Sequence, residues 1–147
     1  MDSPYASADS GPSNSCVFCT VIAAGDDLVY RDQHVAAFLD IRPLFPGHLL
    51  ITPVAHIVTL DQLPAEELVP LFGLTQRAVA AMATALGAEG AFVANNNIVS
   101  QSVLHLHVHV VPRRKGDGLR GFFWPRTSYD DDAHRTSVHG TLRDALA

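Results

Sequence analysis

Apolar residues recur along this chain at two spacings, and each spacing predicts a different kind of element. Alternating and short continuous apolar runs in "LVYRDQHVAAFLDI" predict two strands around a polar turn at residues 31–34, and "GHLLITPV" predicts a third strand entered through the "PLFPG" turn. The segments "GAFVANN" and "SVLHLHVHVVP" predict two more strands. We therefore expect an antiparallel sheet of about five strands.

Helical spacing of apolar residues predicts one long helix and two shorter ones. The long helix lies in "LPAEELVPLFGLTQRAVAAMATALG", with acidic residues near its start and Gly87 at its end. Pro70 either kinks this helix or marks its first turn, because proline has no amide hydrogen. A short helix is predicted in "CVFCTVIAA", stopped by Gly25, and a final helix between Asp130 and Ala147. The predicted fold class is α+β, with the long helix covering one face of the sheet.

Length and composition predict the domain organisation. The chain has 147 residues, of which 48% are hydrophobic and 17% charged, and this predicts a single globular domain. We place that domain at residues 16–147, including a C-terminal extension at about 114–147. Residues 1–15 are rich in Ser, Pro, Gly and Asp and offer almost nothing to bury, so they are predicted to be a mobile arm.

Charge and hydropathy limit the partners. A formal net charge of −5 argues against polymeric nucleic acid, whose binding surfaces need Lys and Arg along the phosphate backbone. No uninterrupted apolar run approaches the roughly twenty residues of a spanning helix, and the first residues lack the features of a signal peptide. We therefore expect a cytoplasmic protein with no membrane partner. The only cysteines, Cys16 and Cys19, form a Cys-x-x-Cys pair, which in a reducing compartment indicates a metal or redox pair more than a structural disulfide.

The segment "SQSVLHLHVHVVP" holds the densest candidate chemistry. On a strand, His105, His107 and His109 share one face, and the apolar residues between them take the other. Burying three imidazoles costs free energy unless each has a partner. Spacing alone leaves three interpretations open: ordinary half-exposed histidines, a metal site on which the imidazoles converge, or nucleophilic catalysis by an unprotonated ring nitrogen of the central histidine.

Several ordered motifs together resemble one known family. The pattern His-x-His-x-His followed by two apolar residues, as "HLHVHVV", with the preceding "QSV" and with "FLDI" and "PGHLLITPVAH", is similar to the histidine triad (HIT) superfamily of nucleotide hydrolases and transferases. The resemblance runs from Cys16 to about Arg113. It implies a HIT-like fold, a nucleotide substrate, taken here as a purine nucleotide, no organic cofactor, and a homodimer. A third histidine rather than glutamine resembles the hydrolase branches.

The resemblance implies a catalytic role for each of five residues. His107 would attack the α-phosphorus of a nucleoside phosphate and form a nucleotidyl-histidine intermediate that water resolves. His109 would lie beside the phosphate and leaving group, and His105 would orient the central imidazole through its backbone. His48 would complete a four-histidine cluster, and Ser102 would hydrogen-bond the phosphate and the leaving atom.

The resemblance also implies the residues that bind substrate. Asp40 would accept hydrogen bonds from the ribose hydroxyls, with Phe38 and Ile41 around the base; the alternative for Asp40 is an ordinary strand-end residue before a turn. Ser102, His109, Gln101 and Asn95 would contact the phosphate side of the substrate. Because the run "NNNIVSQ" is one residue shorter than the common family spacing, Asn95, Asn96 and Asn97 are all candidates for the phosphate contact, and Asn95 is preferred.

Some members of this family bind a structural zinc, and the sequence matches that pattern at four positions: Cys16, Cys19, His56 and His105. Two thiolates and two imidazoles would make a closed tetrahedral site that stabilises folding and leaves no open position for chemistry. The alternative is a pair of free thiols beside ordinary histidines, since Cys-x-x-Cys alone is a weak signal.

Three features depart from the family pattern or stay ambiguous. Ser100 stands where the family usually has glycine, so we expect a serine at a strained backbone angle. The basic residues of the C-terminal extension either meet distal phosphates or form a solvated turn: Arg113, Arg114, Lys115 and Arg120. The aromatic run at residues 122–124 either stacks on a base or pins the tail.

The preferred function is a hydrolase acting on the α-phosphate of a nucleoside 5′-phosphate derivative, which can be a phosphoramidate, an acyl-nucleotide or a dinucleoside polyphosphate. Ser100 and the shortened asparagine run suggest one rival, a nucleotide-binding or signalling module with little turnover. The other rival is a metal-dependent hydrolase that uses the histidines as ligands.

Overall fold

A computed structural model describes residues 15–120 and 126–147 of the chain. The predicted mobile arm therefore lies, but for Ser15, outside the described residues, and so does the aromatic run at residues 122–124. The described chain divides between Lys115 and Gly116 into two compact units. The prediction of one domain with a C-terminal extension stays a prediction.

The first unit holds two helices and five strands. Helix α1 spans Val17–Ala24, and strands β1, β2 and β3 span Leu28–Arg31, Val35–Leu39 and Leu49–Pro53. Helix α2 spans Ala65–Leu86, after a short 3-10 turn at Leu60–Gln62, and strands β4 and β5 span Gly90–Ala94 and Val108–Arg113. Gly25, with a φ of 80°, caps the end of α1, as its sequence predicts.

All five strands form one antiparallel sheet in the order β1-β2-β3-β5-β4. The α+β fold class and the number of strands are confirmed, and so are the long helix and the short N-terminal helix. Pro70 lies inside α2 rather than at its start, which excludes the first-turn alternative.

The sheet separates two apolar clusters. Val35 and Ala37 of β2 face the main core beneath α2, whereas Ala36 and Phe38 face a second cluster with α1. Because both faces of β2 are covered, its sequence "VAAFL" is apolar throughout instead of alternating. The stripe of α2 that enters the main core has helical spacing: Leu71, Leu74, Thr75, Ala78 and Met82.

The outer face of α2 is also apolar, with Val69 79% exposed and Phe72 40% exposed. By length and composition alone α2 could cross a membrane, but the core helix of a soluble protein can have the same length and composition. One stripe of α2 is buried in the main core. The outer face is thus an apolar surface that the described chain leaves open.

Gly47 in the "PGH" turn is a position where only glycine fits. Its φ is 99°, and a Cβ built there would lie 2.5 Å from Leu86 Cδ1 and 3.4 Å from Pro112 Cγ. The turn therefore passes directly over the end of α2 and delivers the next residue, His48, to the start of β3.

The second unit contains the C-terminal helix that the sequence predicts. Helix α3 spans Asp132–Leu146, and Asp131 caps it by accepting a hydrogen bond from the backbone N–H of His134 at 2.7 Å. None of its residues is buried.

Candidate active site and metal centre

The three histidines do not all lie on a strand. Strand β5 begins at Val108, so the prediction of one strand through the whole triad is wrong for His105 and His107, which lie in the loop before it. Strand β4 ends at Ala94, opposite His109, and on the other side the N–H of Leu106 donates to the Ile57 carbonyl instead of continuing the pairing with β3. The predicted alternation of faces persists, because Leu106 and Val108 enter the main core beneath α2.

His107 is held with one defined nitrogen free. Its Nδ1 lies 2.7 Å from the carbonyl oxygen of His105, and since a carbonyl only accepts, Nδ1 carries the proton and donates. Nε2 of the neutral ring is therefore unprotonated. The ring is buried, which lowers its pKa and favours this neutral form, and the ring of Phe18 packs against it edge-on at 5.1 Å.

His48 and His109 form a hydrogen-bond chain that fixes both tautomers. The backbone N–H of Leu44 donates to Nδ1 of His48 at 3.1 Å, so the proton of a neutral His48 is on Nε2. That Nε2–H points at Nδ1 of His109, 2.8 Å away, which places the remaining proton of His109 on its Nε2. Burial lowers the pKa of His109 to about 4 and also lowers that of His48.

A cavity of about 290 Å³ lies beside these rings. Its described wall includes His107, His109, Ser102 and Asp40, together with Phe38 and Ile41, so six of the predicted site residues share one cavity. Helix α1 contributes three apolar residues that sequence reasoning did not assign: Val17, Phe18 and Val21. The sequence did offer an indication of them, because Val17 and Phe18 lie between the two cysteines of the Cys-x-x-Cys motif.

The predicted base and ribose residues differ in exposure. Phe38 is buried, whereas Ile41 is 95% exposed, so the cavity has one fixed and one open apolar wall. Asp40 accepts a hydrogen bond from the backbone N–H of Arg42 through Oδ1, and its Oδ2 lies 3.8 Å from Nε2 of His48. Its carboxylate therefore borders both the cavity and the histidine chain.

The loop before the triad is held by amide side chains. Asn95 donates to the carbonyl of His107 at 2.8 Å and accepts from Asn97. Gln101 is buried, and its amide donates to the Val58 carbonyl at 2.7 Å and accepts from the N–H of Ile98. Both amides are thus engaged within the protein, and their contact with phosphate stays a prediction.

Two residues of this loop have left-handed backbone angles. Ser100 has a φ of 62°, which confirms the strained serine that its sequence position predicts. Ile98, with a φ of 67°, is a second case that no sequence signal indicated, and a β-branched residue is disfavoured there. Gln101 anchors the loop, since it accepts from the N–H of Ile98 and donates to the carbonyl of the distant Val58, and these bonds offset the strain.

Cys16, Cys19, His56 and His105 form a cluster that can hold a metal ion, with their four ligand atoms within 4.8 Å of one another. Nδ1 of His105 lies 3.5 Å from Sγ of each cysteine, and Nδ1 of His56 lies 3.4 Å from Sγ of Cys19. Ligands of a tetrahedral ion with zinc-length bonds are about 3.6 Å apart, sulfur to nitrogen. His105 donates from Nε2 to the Pro53 carbonyl at 2.8 Å, so its Nδ1 lone pair is free for the ion.

A second group, Asp40, His48 and His109, also brings its ligand-type atoms within 4.8 Å of one another. Its hydrogen bonds oppose metal binding. Because the N–H of Leu44 occupies Nδ1 of His48, its Nε2 keeps a proton and has no lone pair for an ion. We therefore interpret this group as a hydrogen-bond chain and the cysteine cluster as the group that can hold a metal ion.

One residue of the basic run at the end of β5, Arg114, has a structural role. The guanidinium of Arg114 donates to the carbonyl oxygens of Leu86 and Gly87, both at 2.6 Å. These are carbonyls at the end of α2, which a cation satisfies and stabilises. A contact of this run with distal phosphates stays a prediction.

Comparison with known proteins matches the HIT domain family model to residues 23–116 of the chain. A HIT-like protein of Mycobacterium tuberculosis, itself uncharacterised, is 40% identical over 140 residues, which is 90% of this chain and 93% of that protein. The crystal structure of a HIT family member from Bacillus subtilis superposes with a TM-score of 0.79 at 30% identity, covering 90% of this chain and 98% of the other. A Zn-bound histidine triad family protein from Mycobacterium smegmatis gives a TM-score of 0.67 at 34% identity, covering 91% and 99%.

More distant relatives carry the names of activities. Adenosine 5′-monophosphoramidase of Schizosaccharomyces pombe is 32% identical, covering 76% of this chain and 84% of that protein. The asymmetrical bis(5′-nucleosyl)-tetraphosphatase of the same organism is 32% identical, covering 63% and 52%. Adenylylsulfatase of Arabidopsis thaliana is 31% identical, covering 72% and 56%.

Proposed function

The chain belongs to the HIT domain family, and from this premise we propose that it hydrolyses nucleoside 5′-phosphate derivatives at the α-phosphate, through a covalent nucleotidyl intermediate on His107, and releases a nucleoside monophosphate. One observation carries the proposal. Nδ1 of His107 donates to a backbone carbonyl at 2.7 Å, which leaves Nε2 as an unprotonated nucleophile on the wall of the cavity.

In the first step Nε2 of His107 attacks phosphorus, a nitrogen–phosphorus bond forms, and the bond to the leaving group breaks. His109 presents Nε2–H from a ring fixed by His48, so it donates a hydrogen bond where negative charge develops. A bound phosphate raises the pKa of His109, because an anion favours the imidazolium, and this allows a proton to reach the leaving atom. Water then attacks phosphorus, a proton of this water passes to His109, the nitrogen–phosphorus bond breaks, and His107 is restored.

The cavity supports binding of the nucleoside half. Phe38 and the apolar residues of α1 offer faces for a base, and Asp40 offers a carboxylate for vicinal ribose hydroxyls. Ser102 lies exposed on the same wall, in reach of a phosphate oxygen or the leaving atom. These residues recognise the half that phosphoramidates, acyl-nucleotides and dinucleotides share.

We propose zinc as the ion of the cysteine cluster, in a structural role. The donor set is two sulfurs and two imidazole nitrogens, which suits zinc and fills a tetrahedron with protein ligands. A bound zinc would stabilise the fold by tying α1 to the histidine loop. Since no position would stay open for water, the cluster supports a hydrolase whose nucleophile is a histidine rather than a metal-bound water.

We also propose a homodimer in the cytoplasm, with neither nucleic acid nor membrane as a partner. The apolar outer face of α2, with Val69 and Phe72, is a surface that a second copy would cover, and Val93 on edge strand β4 is exposed as well. Light scattering coupled to size exclusion tests this: the native chain should elute as a dimer, and Val69→Glu should shift it toward the monomer. A monomeric native chain would contradict it.

The decisive experiment combines turnover with trapping of the intermediate. The native chain is given adenosine 5′-phosphoramidate, an acyl-adenylate and a diadenosine polyphosphate, then quenched, and the modified peptide is mapped by mass spectrometry. We expect AMP as a product and an adenylyl group on His107. His107→Ala should lose both, whereas His139→Ala, which removes an exposed histidine of α3, should keep both. Full activity in His107→Ala would refute the mechanism, and nucleotide binding without product would favour the binding module.

A further inference from the structure

Cys16 and Cys19 have a chemistry that the proposed hydrolysis does not use. They are the only cysteines of the chain, and both are partly exposed. Each also borders an open cleft, Cys16 together with Ser102 and Cys19 together with Arg31. Small solutes can therefore reach either sulfur.

The local backbone places the two cysteines at disulfide distance. Cys16 is the N-cap of α1 and Cys19 is its third helical residue, and the N–H of Cys19 donates to Sγ of Cys16 at 3.5 Å. Helix geometry sets Cα atoms three residues apart at about 5 Å, inside the range of roughly 4.4–6.8 Å that disulfides span. The two sulfurs already lie within 4.8 Å, so rotation of the side chains is enough to bring them into bonding distance.

We propose that this pair is an oxidation site, at which hydrogen peroxide forms a Cys16–Cys19 disulfide, expels the metal ion and weakens nucleotide binding. One thiolate attacks a peroxide oxygen, the O–O bond breaks, and a sulfenic acid and water result once a proton is taken up. The second sulfur displaces hydroxide from the sulfenic sulfur, which forms the S–S bond and, after protonation, a second water. Two electrons pass from the sulfurs to peroxide. The ion leaves because its two sulfur ligands are gone, and its charge does not change.

The nucleotide cavity responds because α1 forms part of its wall. Val17 and Val21 line the cavity, and Phe18, which lies between the two cysteines, packs on the ring of His107. A bound ion links α1 to His56 and His105, and the disulfide removes both links at once. Within the described part of the chain, what then holds α1 is its apolar packing and one hydrogen bond from Arg31 to the Ile22 carbonyl at 2.9 Å. This last step rests on the proposed function, whereas the disulfide and the loss of metal do not.

The test uses the full zinc-loaded chain before and after mild peroxide treatment. Mass spectrometry after alkylation counts free thiols, a chromophoric chelator measures released zinc, and KM and kcat are measured with adenosine 5′-phosphoramidate. We expect both thiols to be lost together, one zinc to be released per chain, and KM to rise several-fold with a smaller change in kcat. Dithiothreitol with zinc should reverse all of these changes.

Two variants and one binding measurement make the result unambiguous. Met82→Leu removes the buried methionine of the main core, a further sulfur that peroxide could oxidise, and should respond like the native chain. Cys16→Ser with Cys19→Ser should show a raised KM that peroxide leaves unchanged; if this variant does not fold, the reversible native measurements decide alone. Thiols that survive peroxide, or zinc release with KM unchanged, would overturn the inference. If no substrate is turned over, AMP affinity replaces KM, and the thiol and zinc results still stand apart from the failure of the proposed function.

Discussion

Replacing Ser100 by glycine should stabilise the protein. Ser100 has a φ of 62°, and a left-handed conformation costs a residue with a Cβ about 1–2 kcal/mol. Glycine removes that cost but loses about 0.5–1 kcal/mol through the greater freedom of the unfolded chain. The net expectation is a gain of about 0.5–1 kcal/mol in the free energy of unfolding, or a few degrees in Tm for a chain of this size.

The surroundings of Ser100 indicate that the substitution changes only the cost of the backbone angle. Ser100 is exposed, and its hydroxyl has no hydrogen-bond partner among residues 15–120 and 126–147. The bond that reaches this residue runs from the side chain of Asn96 to the backbone carbonyl, at 3.2 Å, and glycine keeps it. The substitution therefore changes the backbone strain and almost nothing else.

Urea unfolding at fixed zinc, analysed by linear extrapolation, measures the effect. Ser100→Ala is the matched control, because alanine also lacks the hydroxyl but keeps a Cβ at the same φ, so its stability should match that of the native chain. A Ser100→Gly chain no more stable than Ser100→Ala would refute the reasoning, since it would mean that the left-handed angle carries no cost.

Three further predictions concern other parts of the structure. Between pH about 4, the lowered pKa of His109, and about 6.5, its usual value, the unfolded chain binds more protons at this residue, so the contribution of His109 alone should lower the free energy of unfolding by about 1–2 kcal/mol from pH 6.5 to pH 5. Urea titrations at each pH measure this fall, and an unchanged slope in His109→Gln would contradict its origin. Gln101→Glu should cost about 2–3 kcal/mol, because a carboxylate cannot donate to the Val58 carbonyl, and the same change at an exposed position of α2, Gln76→Glu, should cost much less in the same assay. Gly47→Ala should cost about 2 kcal/mol or more, because its Cβ would lie 2.5 Å from Leu86 and its φ of 99° is unfavourable for alanine. Adding Leu86→Ala should recover the loss due to the contact with Leu86 but not the loss due to the backbone angle. If thermal unfolding shows that the losses of the two substitutions simply add, this explanation is wrong.

Periodicity alone predicted most of the elements, because the period of apolar residues is a local property of the backbone. The alternation of β1, the apolar run of β2 and the helical stripe of α2 each lie within a few residues of their bounds in the structure. It failed at the start of β5, where the same alternation continues through His105 and His107 without a strand. β4 has ended at Ala94, and β3, which continues to Pro53, is not paired there: the backbone N–H of Leu106 donates to the Ile57 carbonyl, and the Pro53 carbonyl accepts from the ring of His105.

The chemical identities of the site were readable from the motifs, but their arrangement was not. The sequence determined which side chains carry imidazole, thiol and carboxylate groups, and the family resemblance grouped them. Only the tertiary structure decided that Leu44 fixes the tautomer of His48 and so that of His109, which lies 61 residues further along. It also decided that His105 directs one ring nitrogen to Pro53 and the other to sulfurs almost ninety positions away. A tautomer depends on which donor or acceptor faces each nitrogen, and that partner is set by packing between distant segments rather than by the local pattern.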